Sequence, residues 1–336
     1  MNRKEKILAH LKSSAPSTGT QLTQYLGISR QALSVHLKEL IAAGKVIKTG
    51  STKNAQYYPG DATLPSSTFS RPVQLGSTDE SIMYDIMSTT LNLKSELKPN
   101  VDAIIHYAFT EMLNNAIDHA KTDLGRISVT LEPGTINFEI RDYGIGIFHS
   151  IASKFQLEDE NAAMLELIKG RITTMPSAHT GEGIFFTSKI ADTFELRSHR
   201  IGMEWDRNKD DTFVSQIRSL KGTLVRFSIR RTARQMLEEV FNEFAPQDYD
   251  YQFQKTRILV KLLQSEYISR SEGRRLTHNL HKFREIMLDF KGVNSIGQGF
   301  ADEVFRVFKH QYPEISINVT HTNGVVNAMI QHVKVQ

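Results

Sequence analysis

The sequence contains no cysteine. Disulfides, thiolate metal sites and a cysteine nucleophile are excluded together, and a reducing, cytoplasmic setting is expected. No apolar run approaches the ~20 residues that a membrane span needs. The opening MNRKEKILAHLK is charged and helix-periodic, without the apolar stretch of a secretion signal. Neither membrane insertion nor secretion is expected. A G-x-x-x-x-G-K-[ST] run is also missing, which excludes a P-loop nucleotide site.

What remains is an ordinary globular composition, 40% hydrophobic and 23% charged over 336 residues. At ~100 to 200 residues per domain, that length predicts two or three domains. The formal net charge of +4 is unevenly spread: residues 1–60 hold nine Lys/Arg against two Glu, a balance of +7, and the rest sums to −3. A basic head on a slightly acidic body points to a polyanionic partner, with charge that serves only solubility as the competing reading.

The head reads as helix, turn, helix. Ile7, Leu8 and Leu11 mark one face of a first helix over residues 3–13. Ser17 or Thr18 caps a second helix carrying Leu22 and Leu26, Gly27 makes the turn, and Ser29 caps a third with Leu33, Leu37, Leu40 and Ile41 inward. After Gly44, residues 45–48 and 56–58 flank a polar loop in the manner of a two-stranded wing. This pattern resembles the winged helix-turn-helix of bacterial transcription factors over residues 1–60. In such a unit a helix enters the major groove while basic side chains neutralise phosphates. Ser29, Arg30, Gln31, Ser34, His36 and Lys38 are expected to face out, with Arg30 and Gln31 near base edges and Lys45, Lys48 and Lys53 near phosphates. A head used only for protein contacts is the alternative. Residues 61–78, rich in Ser, Thr and Pro, read as a linker.

Three short segments in the middle of the chain carry chemistry. The first, YAFTEMLNNAIDHA at 107–120, is helical and sets Glu111, Asn115 and Asp118 at i, i+4 and i+7 on one face. Taken alone, that stripe reads equally well as a solvated face. The second, at 137–147, alternates as a strand and runs into Asp142-x-Gly144-x-Gly146, where a carboxylate can accept from an exocyclic amine. The third is Thr180-Gly181-Glu182-Gly183 opening a helix, whose free N–H groups suit phosphate.

Those motifs in that order resemble the GHKL superfamily of gyrases, chaperones, mismatch-repair ATPases, sensor kinases and anti-sigma kinases. The resemblance implies an α/β sandwich over residues 79–232, with ATP under a mobile lid from about 149 to 179. It also implies Asn115 as the magnesium ligand, Asp142 as the adenine reader, and Gly181, Glu182 and Gly183 as the phosphate turn. Thr223 matches the family's late Thr beside adenine, and Glu111 matches the general base of the ATPase and serine-kinase branches. His106 lies nearly opposite Glu111 on the helix and reads as a core or surface histidine.

After a helix-like stretch at 232–244 that opens a connector assigned to 233–253, residues 254–336 read as a small α/β unit. Strands are expected at 253–260, 285–290 and 316–320, with a helix at 299–312. The run IMLDFKGVNSIGQGFADEVF resembles the STAS-like fold of anti-anti-sigma factors. That family's phosphorylatable serine is replaced by Gln298-Gly299, with Ser295 three positions earlier, so a docking or dimerisation module is the expectation. The fold class is therefore multidomain α/β: a winged helix-turn-helix, a GHKL sandwich and a STAS-like domain. ATP and magnesium are the expected cofactors. Duplex DNA, a second copy of the chain and a protein at the STAS-like unit are the expected partners. The leading function is a nucleotide-controlled transcription regulator, and the alternative is an anti-sigma-like serine/threonine kinase or ATPase switch with docking modules.

Overall fold

The computed structural model describes residues 2–49, 55–60, 67–172, 174, 181–262 and 268–334. Lys53 and Thr180, and most of the expected lid beyond residue 172, lie outside the described residues.

The head forms from local signals. Helices α1 (Arg3–Ser14), α2 (Gly19–Leu26) and α3 (Arg30–Ala42) are each set by a side-chain cap. Thr18 and Gln21 exchange hydrogen bonds as a capping box at the start of α2, Gly27 closes that helix at φ +63°, and the Ser29 hydroxyl accepts from Ala32 N–H. Strands β1 (Ser17–Thr18), β2 (Val46–Thr49) and β3 (Gln56–Pro59) make a small antiparallel sheet in the order β1-β3-β2. The wing therefore has a third strand. Ile7, Leu11, Leu22, Leu33, Leu37, Leu40 and Val46 close the core. Ile41, expected inward, is 37% exposed instead, because the three inward leucines already fill the face that α3 turns toward α1 and α2.

The middle unit is one antiparallel sheet with helices on a single face. Its strands are β4 (Ser67–Gln74), β5 (Leu124–Leu131), β6 (Thr135–Asp142), β7 (Thr193–Asp206) and β8 (Asp211–Arg230), in the order β4-β5-β6-β8-β7. Alternation puts Ile127, Val129, Ile136, Phe138 and Ile140 against the helices. The opposite face is polar, with Arg226 bridging Glu139 and Glu195. Helices α4 (Glu80–Thr90), α5 (Leu93–Glu96) and α6 (Pro99–His119) supply the covering layer. Residues 67–74, read from the sequence as linker, are instead the edge strand β4 paired along β5. Phe69 and Val73 go inward, and Pro72 is tolerated because an edge strand has one unpaired side.

Two helices, α7 (Ile147–Phe155) and α8 (Glu160–Lys169), occupy the first part of the expected lid. All seven residues 163–169 of α8 are buried, as expected of a helix enclosed on every side rather than a flap facing solvent. Helix α9 (Gly183–Ile190) follows.

Helix α10 (Leu237–Phe244) starts five residues later than the sequence suggests and leads into a parallel sheet. Strands β9 (Lys255–Leu259), β10 (Glu285–Asp289) and β11 (Ser316–Thr320) lie in the order β11-β10-β9, each pair parallel. The crossovers carry α11 (Arg270–Thr277) and the run α12 (Gln298–Asp302), a π-turn (Glu303–Val307) and α13 (Phe308–Gln311), and α14 (Gly324–Lys334) closes the chain. Among the described residues no helix is long and apolar enough to cross a membrane.

Candidate functional site

A cavity of about 300 Å³ opens between α6, the β6–α7 turn, α8 and the start of α9. That volume lies at the lower end of the usual ~300 to 1,000 Å³ for small-molecule sites. Its floor is the sheet, through Ile140, Leu196 and Val225.

One end is built around Asp142, the last residue of β6 and only 4% exposed. Its carboxylate accepts from Gly144 N–H at 2.8 Å and from Thr223. The Thr223 hydroxyl in turn accepts from Ile147 N–H at 3.0 Å. Burial pushes the Asp142 carboxyl above its ordinary pKa, against the opposing pull of those donors. A buried acceptor in this state favours a ligand that brings one more donor.

The other end joins α6 to α9. Glu111 and Asn115 face the cavity, together with Gly181, Glu182 and Gly183. A Cβ on Gly183 would lie 2.1 Å from Glu111 Oε2. Only glycine lets the carboxylate sit against the helix start, where the first N–H groups have no intrahelical partner. Tyr107, one turn before Glu111, has its phenol pKa raised by burial and by the charges of Glu111 and Glu182.

The cavity gathers Glu111, Asn115, Asp142, Gly146, Gly181, Glu182, Gly183 and Thr223, but neither Asp118 nor Gly144. At about 100° per residue, Asn115 steps from Glu111 toward Met112, whereas Asp118 falls about 20° to the other side. His119 takes the place expected of Asp118: it lines the cavity, and its Nδ1 lies 3.0 Å from Thr174 Oγ1. Its spacing of four from Asn115 could have revealed it. Gly144 donates to Asp142 while its neighbour Ile145 donates to Ala120 O, so it shapes the turn rather than lining the cavity. Among the described residues no group of His, Cys, Asp and Glu is arranged to hold a metal alone.

On the head, Arg30, Gln31, Ser34, Lys38 and Lys45 are exposed, and Lys48 is half-buried. The Ser29 hydroxyl is engaged as the α3 cap, and Arg30 Nη2 donates to Thr20 Oγ1 at 3.3 Å. His36 departs from the expected outward set. Its Nδ1 is buried without a hydrogen-bond partner, since it follows Leu33 by three and precedes Leu40 by four on the inner side of α3. Val35, 56% exposed between Ser34 and Lys38, was missed from the sequence; an uncovered apolar side chain on this helix suits contact with a thymine methyl.

Three family models match the chain. A helix-turn-helix (HTH) domain matches residues 3–53, a histidine kinase-like ATPase domain matches 87–204, and a STAS-like domain of unknown function matches 272–327. No curated protein matches it. The ATPase match ends before Thr223, so that residue's part in the site rests on its bond to Asp142. The chain therefore joins an HTH domain, a histidine kinase-like ATPase domain and a STAS-like domain in one polypeptide.

Proposed function

We propose that this protein is an ATP-binding regulator whose nucleotide state controls duplex-DNA binding by the HTH head. The observation that carries the nucleotide half is one cavity with a buried, pKa-raised Asp142 at one end and the Glu111–Gly183 contact at the other. Asp142 and Thr223 receive the adenine amine. The start of α9 receives the phosphates. Glu111 and Glu182 at that end would repel a bare triphosphate, so a divalent cation must enter with it. Asn115 would supply a neutral oxygen for magnesium, alongside phosphate oxygens and water. Bound magnesium would screen the phosphate charge, and Glu111 is placed to take the proton of an attacking hydroxyl or water.

The DNA half rests on the +7 balance of residues 1–60 and the exposed row Gln31, Ser34 and Lys38. A homodimer on DNA in a cytoplasmic setting completes the reading.

The test is fluorescence anisotropy of labelled duplex DNA with the full chain, with and without Mg·ATP, alongside phosphate release and protein labelling. Nucleotide is expected to shift DNA affinity. Glu111→Ala is expected to retain ATP while losing roughly 10² to 10⁴ in turnover. Transfer of label to protein in place of phosphate release would favour the serine/threonine kinase reading. DNA affinity unchanged by nucleotide would overturn the control reading.

A further inference from the structure

Two helices that line the cavity, α8 and α9, are also embedded in the STAS-side core. On α9, Phe185 lines the cavity and belongs at the same time to the STAS-side core. Its ring lies 4.5 Å from Phe253 and 4.9 Å from Phe244, while Phe186 lies 4.7 Å from Phe241. On α8, Leu167 lines the cavity, and the neighbouring turn is bolted to the STAS-like unit by a buried polar cluster. Lys169 Nζ donates to Glu166 Oε1 at 2.7 Å and to the carbonyls of Arg275 and His278 at 2.9 Å, so all three ammonium hydrogens are used. Asn279 Nδ2 donates to Glu166 Oε2 at 2.7 Å, and Thr256 Oγ1 donates to Lys169 O at 2.8 Å. Gly170 ends α8 at φ +82°, and a Cβ there would lie 2.8 Å from the Phe253 ring, so the two units meet with no room for a side chain.

A hydrogen-bonded ionic cluster with every partner satisfied fixes one geometry, because any slide leaves a buried charge unmatched. We propose that the STAS-like domain is the regulatory clamp of this chain's own nucleotide site: it seats α8 and α9, and nucleotide at the phosphate end tightens its docking in return. The inference rests on the nucleotide reading of the cavity and adds what regulates it. Binding linkage is reciprocal, so whatever loosens the clamp weakens nucleotide binding by the same factor that nucleotide strengthens the clamp.

The experiment is hydrogen exchange on the full chain with and without Mg·AMP-PNP, together with its affinity in wild type, Asn279→Asp and Thr256→Val. Asn279 sits at φ +62° and does not line the cavity; aspartate tolerates that backbone and sets a second carboxylate against Glu166. Expected are slower exchange in both the pocket segments and α11 and β9, and a loss of about fivefold or more in affinity in Asn279→Asp, with the Thr256→Val loss smaller and in the same direction. Protection confined to α6 and α9, or both folded variants binding like wild type, overturns the clamp while leaving the nucleotide reading intact. No protection anywhere overturns both.

Discussion

The HTH head and the two-domain body are built on different terms. In the head, Ile7, Leu11, Leu22, Leu33, Leu37, Leu40 and Val46 all come from one stretch of 40 residues and bury one another. In the body, the ATPase helix α9 sends Phe185 and Phe186 into the STAS-side core, and α8 ends in a charge cluster completed by Arg275, His278 and Asn279. The head can fold from local capping and periodicity. The body's phosphate end takes its shape only when residues more than a hundred positions apart in sequence are assembled, as Lys169 and His278 are. Within the body, the base end differs again: Asp142, Gly144 and Thr223 belong to the sheet and its turns, and their bonds do not involve the STAS-like unit.

The largest expected effect comes from breaking the body's shared seam. Lys169→Met leaves Glu166 buried at 6% side-chain exposure without its ammonium, and removing one partner of such a pair costs about 3 to 5 kcal/mol. Thermal melts should show a large drop for the body and none for the head, and Lys169→Met combined with Glu166→Leu should restore much of it. A Lys169→Met body that melts like wild type would mean the cluster is not a clamp.

The base end should respond with the opposite pH sign. Burial raises the Glu166 pKa, but Lys169, Asn279 and His278 outweigh it and hold the group below its ordinary value. Its contribution is therefore full at neutral pH and is lost as pH falls through the carboxylate range to the lowered folded value. Asp142 is raised, so its ionised form penalises the folded state at neutral pH and that penalty fades on acidification. Asp142→Asn keeps an acceptor for Gly144 N–H and Thr223 while removing the buried charge. It is expected to melt no lower than wild type without ligand, yet to lose about 1.5 to 3 kcal/mol of ATP binding, the worth of a hydrogen bond to a charged group. Calorimetric titration checks the second part. ATP affinity equal to wild type would remove Asp142 from base recognition.

What could be read from the sequence follows the same division. Thr18, Gly27 and Ser29 announce the head's helices because caps and turns act over three or four residues. Asp142 and Gly183 could be read because each sits in a motif where a strand or loop turns into a helix. The partner of Glu166 could not, since nothing within α8 says that a carboxylate and a lysine three apart will be buried against a strand and helix from another domain. Strand β4 was hidden by its Ser, Thr and Pro content, and only its long pairing with β5 makes it a strand. Asp118 does not line the cavity, because i+7 spacing marks one face of a helix without saying where the cavity meets that face.

The smallest effect belongs to the head, where the charges act in water. Lys48→Ala removes one contact to phosphate, and each lost phosphate contact lowers the slope of log affinity against log salt by about 0.9, equally for all duplex sequences. Arg30→Ala should instead cost roughly 1 to 3 kcal/mol at one base pair if its guanidinium leaves Thr20 for a base edge. Because the head's core is closed, neither change should move the body's melting transition or its ATP affinity. Anisotropy over a salt series, with calorimetry on the same samples, separates these outcomes. A change in ATP affinity in Lys48→Ala would show instead that the wing and the pocket are energetically coupled.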